Sequence, residues 1–184
     1  MMRAPHRLTP CLAAALVSAL ASSTAVAADS GPHGPTTFSG SCQGSGTVAF
    51  KPPLTNTPRP TTQRARGVLA CSGSLIDRRG RTHQLTDARV VYRATERGDD
   101  ISCGAGVDSG SGTLRFHWGA LHFTVEEKRA AAVATLAYTG AKGGSATGVA
   151  HPTGDPATAV QQCAGSGIKR TTVDLTLSAD SLSG

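Results

Sequence analysis

Two histidines five positions apart, His117 and His122 in LRFHWGALHFTV, have a spacing that could do chemistry. A two-residue turn at Gly119 and Ala120 suits a type II′ hairpin, which takes glycine at its first central position. The hairpin then sets His117 opposite His122, Trp118 opposite Leu121 and Phe116 opposite Phe123. Facing Cβ atoms in such a pair lie about 5 Å apart. Two imidazoles at that distance form an acid–base pair, or two ligands of a metal with Glu126 as a third. The bland alternative is a pair of exposed strand histidines with no task, because two ligands without a located third do not make a site. No cofactor is expected.

The remaining acidic groups are less suggestive. Glu126 and Glu127 are adjacent, so on a strand they point to opposite faces and do not form a glycosidase pair. Asp99 and Asp100 could join Asp108 around Ca²⁺, but the Asp-x-Asp-x-Asp-Gly pattern of a calcium loop is missing. A polar turn accounts for them.

Cysteine offers the other chemistry. CQGSG begins at Cys42 and CAGSG at Cys163, and the same five-residue pattern is either half of a reactive site or a staple. A nucleophilic thiol needs a helix N-terminus or a histidine to make it a thiolate, and it must be unpaired. Neither copy is the Gly-x-Ser-x-Gly of a hydrolase elbow, and the lysine of a phosphate loop does not follow.

The leader favours the staple. Arg3 and Arg7 precede a short apolar run, Cys11 to Leu20, and Ala25-Val26-Ala27 offers small residues for cleavage before Ala28. Residues 1–27 therefore read as a secretory signal peptide. The apolar run is shorter than the roughly 20 residues a membrane span needs. Export removes Cys11 and leaves Cys42, Cys71, Cys103 and Cys163. An even count in an exported chain reads as disulfides. Three connectivities are open, and a meandering sheet favours Cys42–Cys71 with Cys103–Cys163. Zinc ligands come in close pairs, which these four do not.

The elements that carry these residues are strands. After a tail at 28–35, Phe38, Gly40, Cys42, Gly44, Gly46, Val48 and Phe50 share one parity, and small polar residues share the other. The same alternation groups Leu69, Cys71 and Leu75, then Val90 and Tyr92, then Leu114, Phe116 and Trp118. It continues with Leu121, Phe123 and Val125, and ends with Val173, Leu175 and Leu177. Period two means half-buried strands. No strong helix is visible, and the prolines of KPPLTNTPRPTT predict a long loop. The expectation is one all-β domain over 36–184, an antiparallel β-sandwich or β-barrel of roughly eight to ten short strands, stapled by disulfides.

Charge is uneven. Without the leader there are 16 basic and 12 acidic residues, and nine arginines fall between Arg59 and Arg97 against Asp77, Asp87 and Glu96. Arg78, Arg79 and Arg81 at a turn, with Arg89 and Arg93 on a strand, are the candidate patch for an anionic partner. Export and the lack of interleaved stacking aromatics argue against nucleic acid.

The Ala-rich leader, Arg-over-Lys usage, four mature cysteines and Gly/Ser/Thr-rich strands resemble the small secreted β-proteins of actinobacteria of unassigned function. The resemblance implies export and a β-fold, and it carries no site residue. The leading expectation is a secreted, monomeric, non-catalytic binding protein without a transmembrane segment. Its ligand is a cell-envelope component, an anionic surface or polymer, or a small apolar molecule held between sheets. The rivals are a hydrolase or metal-binding protein using His117 and His122, and an inhibitor or interaction protein presenting the Pro-rich loop at 52–60.

Overall fold

The computed structural model describes residues 34–184. The leader expected at 1–27 and most of the tail expected at 28–35 lie outside the described residues. Eight strands follow in chain order: β1 (Thr37–Leu54), β2 (Arg59–Ile76), β3 (Thr82–Ile101), β4 (Ala105–Phe116), β5 (Gly119–Ala130), β6 (Val133–Gly140), β7 (Gly143–Pro152) and β8 (Ile168–Ser183). One helix, α1 (Pro156–Ala164), joins β7 to β8. Each strand pairs antiparallel with the next, and β8 pairs back with β1, so the sheet is a closed barrel. Closure resolves the choice between sandwich and barrel, and it leaves no unpaired edge strand. The seam extends beyond the strands, where Thr36 and Gly184 exchange backbone hydrogen bonds of 3.1 and 2.9 Å.

Strand parity sorts most of the alternating residues as expected, Trp118 and Val173 excepted. Leu69, Cys71, Leu75, Val90, Tyr92, Leu114, Phe116, Leu121, Phe123, Val125, Leu175 and Leu177 are all buried. Threonine, serine and arginine take most outward positions. A membrane-spanning barrel shows the reverse, apolar outside and polar inside, so the described strands are patterned to face water. No helix among the described residues is long and apolar enough to cross a membrane.

Few bulky side chains are available, and the barrel fills its interior by setting them over glycine. A Cβ added at Gly112 would lie 2.5 Å from the Phe123 ring. Gly40 and Gly73 face each other across β1 and β2 with φ of 148° and 140°, and a Cβ on either would strike the opposite strand's backbone. Only glycine allows that approach and that dihedral.

The interior holds two apolar clusters. The larger runs from Phe38 and Leu75 at one end to Phe123, Val125 and Tyr138. The smaller, built on Phe50, Leu54 and Ile101, plugs the end where β1 turns into β2 and β3 into β4.

Both favoured cysteine pairs lie at disulfide distance. Cys42 and Cys71 are register partners inside the barrel, with Cα atoms 4.0 Å apart. Cys103, in the β3–β4 turn, reaches Cys163, with Cα atoms 6.3 Å apart. The two look-alike pentapeptides have different settings. CQGSG is mid-strand, whereas Cys163 lies in α1, not at a strand end.

Three expectations need correction. A helix exists, started by Asp155, whose carboxylate accepts from Ala157 N and Thr158 N, with Pro156 behind the cap. Asp before Pro is a helix-start pair, and small and β-branched residues hid the nine-residue span behind it. The predicted long proline loop is only residues 55–58. The last β1–β2 register pair is Lys51 with Thr62, so Pro52 and Pro53 lie beyond that ladder, and Pro60 sits at a register shift between β2 and β3. Proline fits such positions because no ladder bond is asked of it. Finally, the β4–β5 turn is His117–Trp118, not Gly119–Ala120. Both registers keep Phe116 and Phe123 inside, so parity could not separate them. Trp118 swings out and stacks on His83, with ring centroids 4.4 Å apart.

Candidate functional site

A polar layer separates the two apolar clusters. Gln63 on β2 is the register partner of Glu96 on β3, and Asp108 on β4 is the partner of Glu127 on β5. All four sit on inward parity and are buried. Gln63 Nε2 lies 3.2 Å from Glu96 Oε2, 3.1 Å from Asp108 Oδ1 and 2.9 Å from Glu127 Oε2. Arg129, two residues beyond Glu127 on the same parity, donates to Gln63 Oε1 at 2.9 Å and forms an ion pair with Glu127. Its guanidinium also stands 5.3 Å from the centre of the Phe50 ring.

Burial governs the electrostatics. Removal from water, then the charges of Glu127 and Asp108, push the Glu96 carboxyl up to about 9. Asp108 rises to about 6, from burial and then the charge of Glu127. The Tyr92 and Tyr138 hydroxyls are pushed above the usual phenol range, first by burial, and both feel the charges of Glu96 and Glu127. Three carboxylates this close cannot all stay ionised without a compensating charge.

The outer face of β2, β3 and β4 carries a second charged assembly. Arg64 and Arg66 on β2, Arg89, Arg93 and Arg97 on β3, and Arg115 on β4 all point outward and are exposed. Arg93 is the hub. It is the register partner of Arg66, and it lies diagonal to Arg64 on one side and to Arg115 on the other. Diagonal neighbours on a sheet are about 7–8 Å apart, within reach of long side chains. Among the described residues, none of the six forms an ion pair.

Beside this face the outer wall is concave. A groove of about 330 Å³ is lined by Ser41, Gln43, Ser72, Asp87, Thr176 and Ser178, among others. Register sets Thr147, Ser178, Ser41 and Ser72 in one row across β7, β8, β1 and β2. The Ser72 hydroxyl accepts from Asp87 N at 3.0 Å, at a kink where Asp87 adopts φ of 49°. The arginine face and the groove meet where Ala70, in the groove wall, pairs with Arg89.

The residues singled out from sequence are distributed differently. His117 lies in the β4–β5 turn, while His122 is on β5 opposite Thr113, so the facing pair does not form. Glu126 is exposed and pairs with Lys128. Among the described residues, the ligand-type side chains that converge are Glu96, Asp108 and Glu127. Of the predicted arginine patch, Arg89 and Arg93 belong to the outer face. Arg78, Arg79 and Arg81 belong to the β2–β3 turn. There Asp77 accepts from the backbone of Arg79 and Arg81, from Arg81 Nε at 2.8 Å and from His83 at 3.0 Å. The His83 bond leads the causes that hold the Asp77 carboxyl well below the usual range.

The polar layer escaped the sequence reading, although a signal was present. Glu96 follows Tyr92 and Ala94 on inward parity, and Glu127 follows Leu121, Phe123 and Val125. A charge on the apolar side of an alternating strand marks a buried polar site.

No family model, curated protein or solved structure matches this chain.

Proposed function

We propose that the protein is an exported, non-catalytic binding protein that holds an anionic polysaccharide on the outside of its barrel. The observation that carries this reading is the outer arginine face, six exposed guanidinium groups with Arg66 opposite Arg93. Like charges set opposite each other on a sheet are destabilising, so a face of this kind is better suited to a polyanion than to the fold. Guanidinium groups grip carboxylate, sulfate or phosphate through paired hydrogen bonds.

The hydroxyl groove beside Arg89 supports a saccharide as the polymer. Serine and threonine hydroxyls with the Gln43 amide offer donors and acceptors for sugar hydroxyls. The leader sequence and the two cysteine pairs support export. Among the rivals, a held apolar molecule is disfavoured because apolar side chains fill the barrel on both sides of the polar layer. The inhibitor reading is left with a four-residue loop at 55–58.

Retention on heparin–agarose, with neutral dextran–agarose as control, tests the proposal. The protein is expected to bind heparin at low salt, elute with added salt and pass through dextran. Passage through both columns, or equal retention on both, would overturn it.

A further inference from the structure

The arginines of the outer face fall into a stripe. On β3 the outward positions read Asp87, Arg89, Val91, Arg93, Thr95, Arg97 and Asp99. Register fills the gaps between the arginines of that strand. Arg115 on β4 stands beside Val91, and Arg64 on β2 stands beside Thr95. Arg66 doubles the middle row, beside Arg93. Every outward row from Arg89 to Arg97 therefore carries a guanidinium. Rows are two residues apart, about 6.6 Å at the rise of a strand, so the stripe is about 26 Å long. It is also narrow. Arg89 faces Ala70, Arg97 lies between Thr62 and Ser109, and the row of Arg93 continues with Thr113.

Both ends are closed by carboxylates. Asp87 and Asp99 are exposed on the same outward parity as the arginines. Among the described residues neither forms an ion pair, so neither neutralises the arginine next to it. Asp87 also lines the hydroxyl groove. A carboxylate there accepts from sugar hydroxyls and repels sugar acids.

We infer that the stripe is a bounded site for one extended segment of a densely charged linear polysaccharide, laid lengthwise on β3 with its anionic groups between Asp87 and Asp99. The inference rests on the polyanion reading and adds the ligand's direction, length and charge spacing. A compact anion, or a chain crossing the strands, meets only one or two rows. A chain with widely spaced charges leaves rows unmatched. Paired guanidinium bonds to successive sulfate or carboxylate groups hold the segment, and like charge at Asp87 and Asp99 stops it from extending.

Titration of heparin fragments of graded length at low salt tests this. Affinity should climb until a fragment spans about 26 Å, after which only the small statistical gain from alternative registers remains. Asp87→Asn/Asp99→Asn, with Tm unchanged, should go on climbing past that length. Sparsely charged hyaluronan fragments of equal length should bind roughly tenfold more weakly or worse. If the shortest heparin fragment binds as tightly as the longest, if wild-type affinity climbs past that length as steeply as before, or if hyaluronan matches heparin, the inference is overturned and the polyanion reading stands. If heparin of no length binds, both fall.

Discussion

The protein carries two sets of charges that obey different rules. Glu96, Asp108, Glu127 and Arg129 lie inside the barrel, where water cannot screen them and each depends on its neighbours. Arg64, Arg66, Arg89, Arg93, Arg97 and Arg115 lie outside in solvent, where salt screens them over about 10 Å at 0.1 M. The inner set should therefore govern stability and respond to pH and substitution. The outer set should govern binding and respond to salt. The fold provides both from one device, since alternate residues of a strand face opposite ways.

The sharpest way to break the comparison is to leave one inner charge alone. Arg129→Ala exposes Glu127 to an unpartnered interior, and breaking such a pair costs about 3–5 kcal/mol. Urea unfolding should show that loss, and a cost below about 1 kcal/mol, typical of an exposed pair, would move Arg129 to the solvent class. Removing the staple beside the core should cost somewhat less. Cys42→Ala with Cys71→Ala is expected to lose about 2–4 kcal/mol by the chain-entropy argument, read in the same experiment.

The pH profile sharpens the inner half. The Glu96 carboxyl is raised from 4.5 to about 9 in the folded chain. The folded state thus keeps a proton that the unfolded chain has released. Its contribution is complete below about pH 4.5 and is lost as pH rises toward 9. Asp77 works in the opposite direction. Its lowered carboxyl stabilises the fold above its ordinary value of 3.8, and that contribution fades as pH falls below it. Tm should peak in mild acid and decline steadily to pH 9. A flat profile between pH 5 and 9 would contradict the buried setting of Glu96. The smallest stability effect belongs to the outer face: Arg93→Ser should change unfolding by no more than about 0.5 kcal/mol while weakening heparin retention.

Much of this was legible in the sequence because alternation and cysteine usage are local signals. Leu69, Cys71 and Leu75 announce a strand with a staple, and they take those places. Sequence left three matters open. Barrel or sandwich depends on whether β8 meets β1, a contact between the two ends of the domain that parity does not encode. The hairpin at His117–Trp118 keeps Phe116 and Phe123 inside, as the turn expected at Gly119 does, but it shifts the register and turns Trp118 outward onto His83. The carboxylate layer draws on four strands, and no segment contains more than two of its members. Asp108 is near Asp99 and Asp100 in sequence, but its partners are Glu96 and Glu127, brought in by register.

In the proposed binding mode the outer face of β2, β3 and β4, and not the β2–β3 turn, holds the polyanion. Titration of labelled heparin at about 50 and 300 mM NaCl, where screening lengths differ more than twofold, tests it on three proteins: wild type, Arg66→Ser/Arg93→Ser/Arg115→Ser, and Arg78→Ser/Arg79→Ser. Wild type and the turn variant should bind alike and weaken together with salt. The face variant should lose about tenfold or more, equivalent to 1.4 kcal/mol, with its Tm unchanged. Equal binding by wild type and the face variant, or a loss confined to the turn variant, would contradict the account.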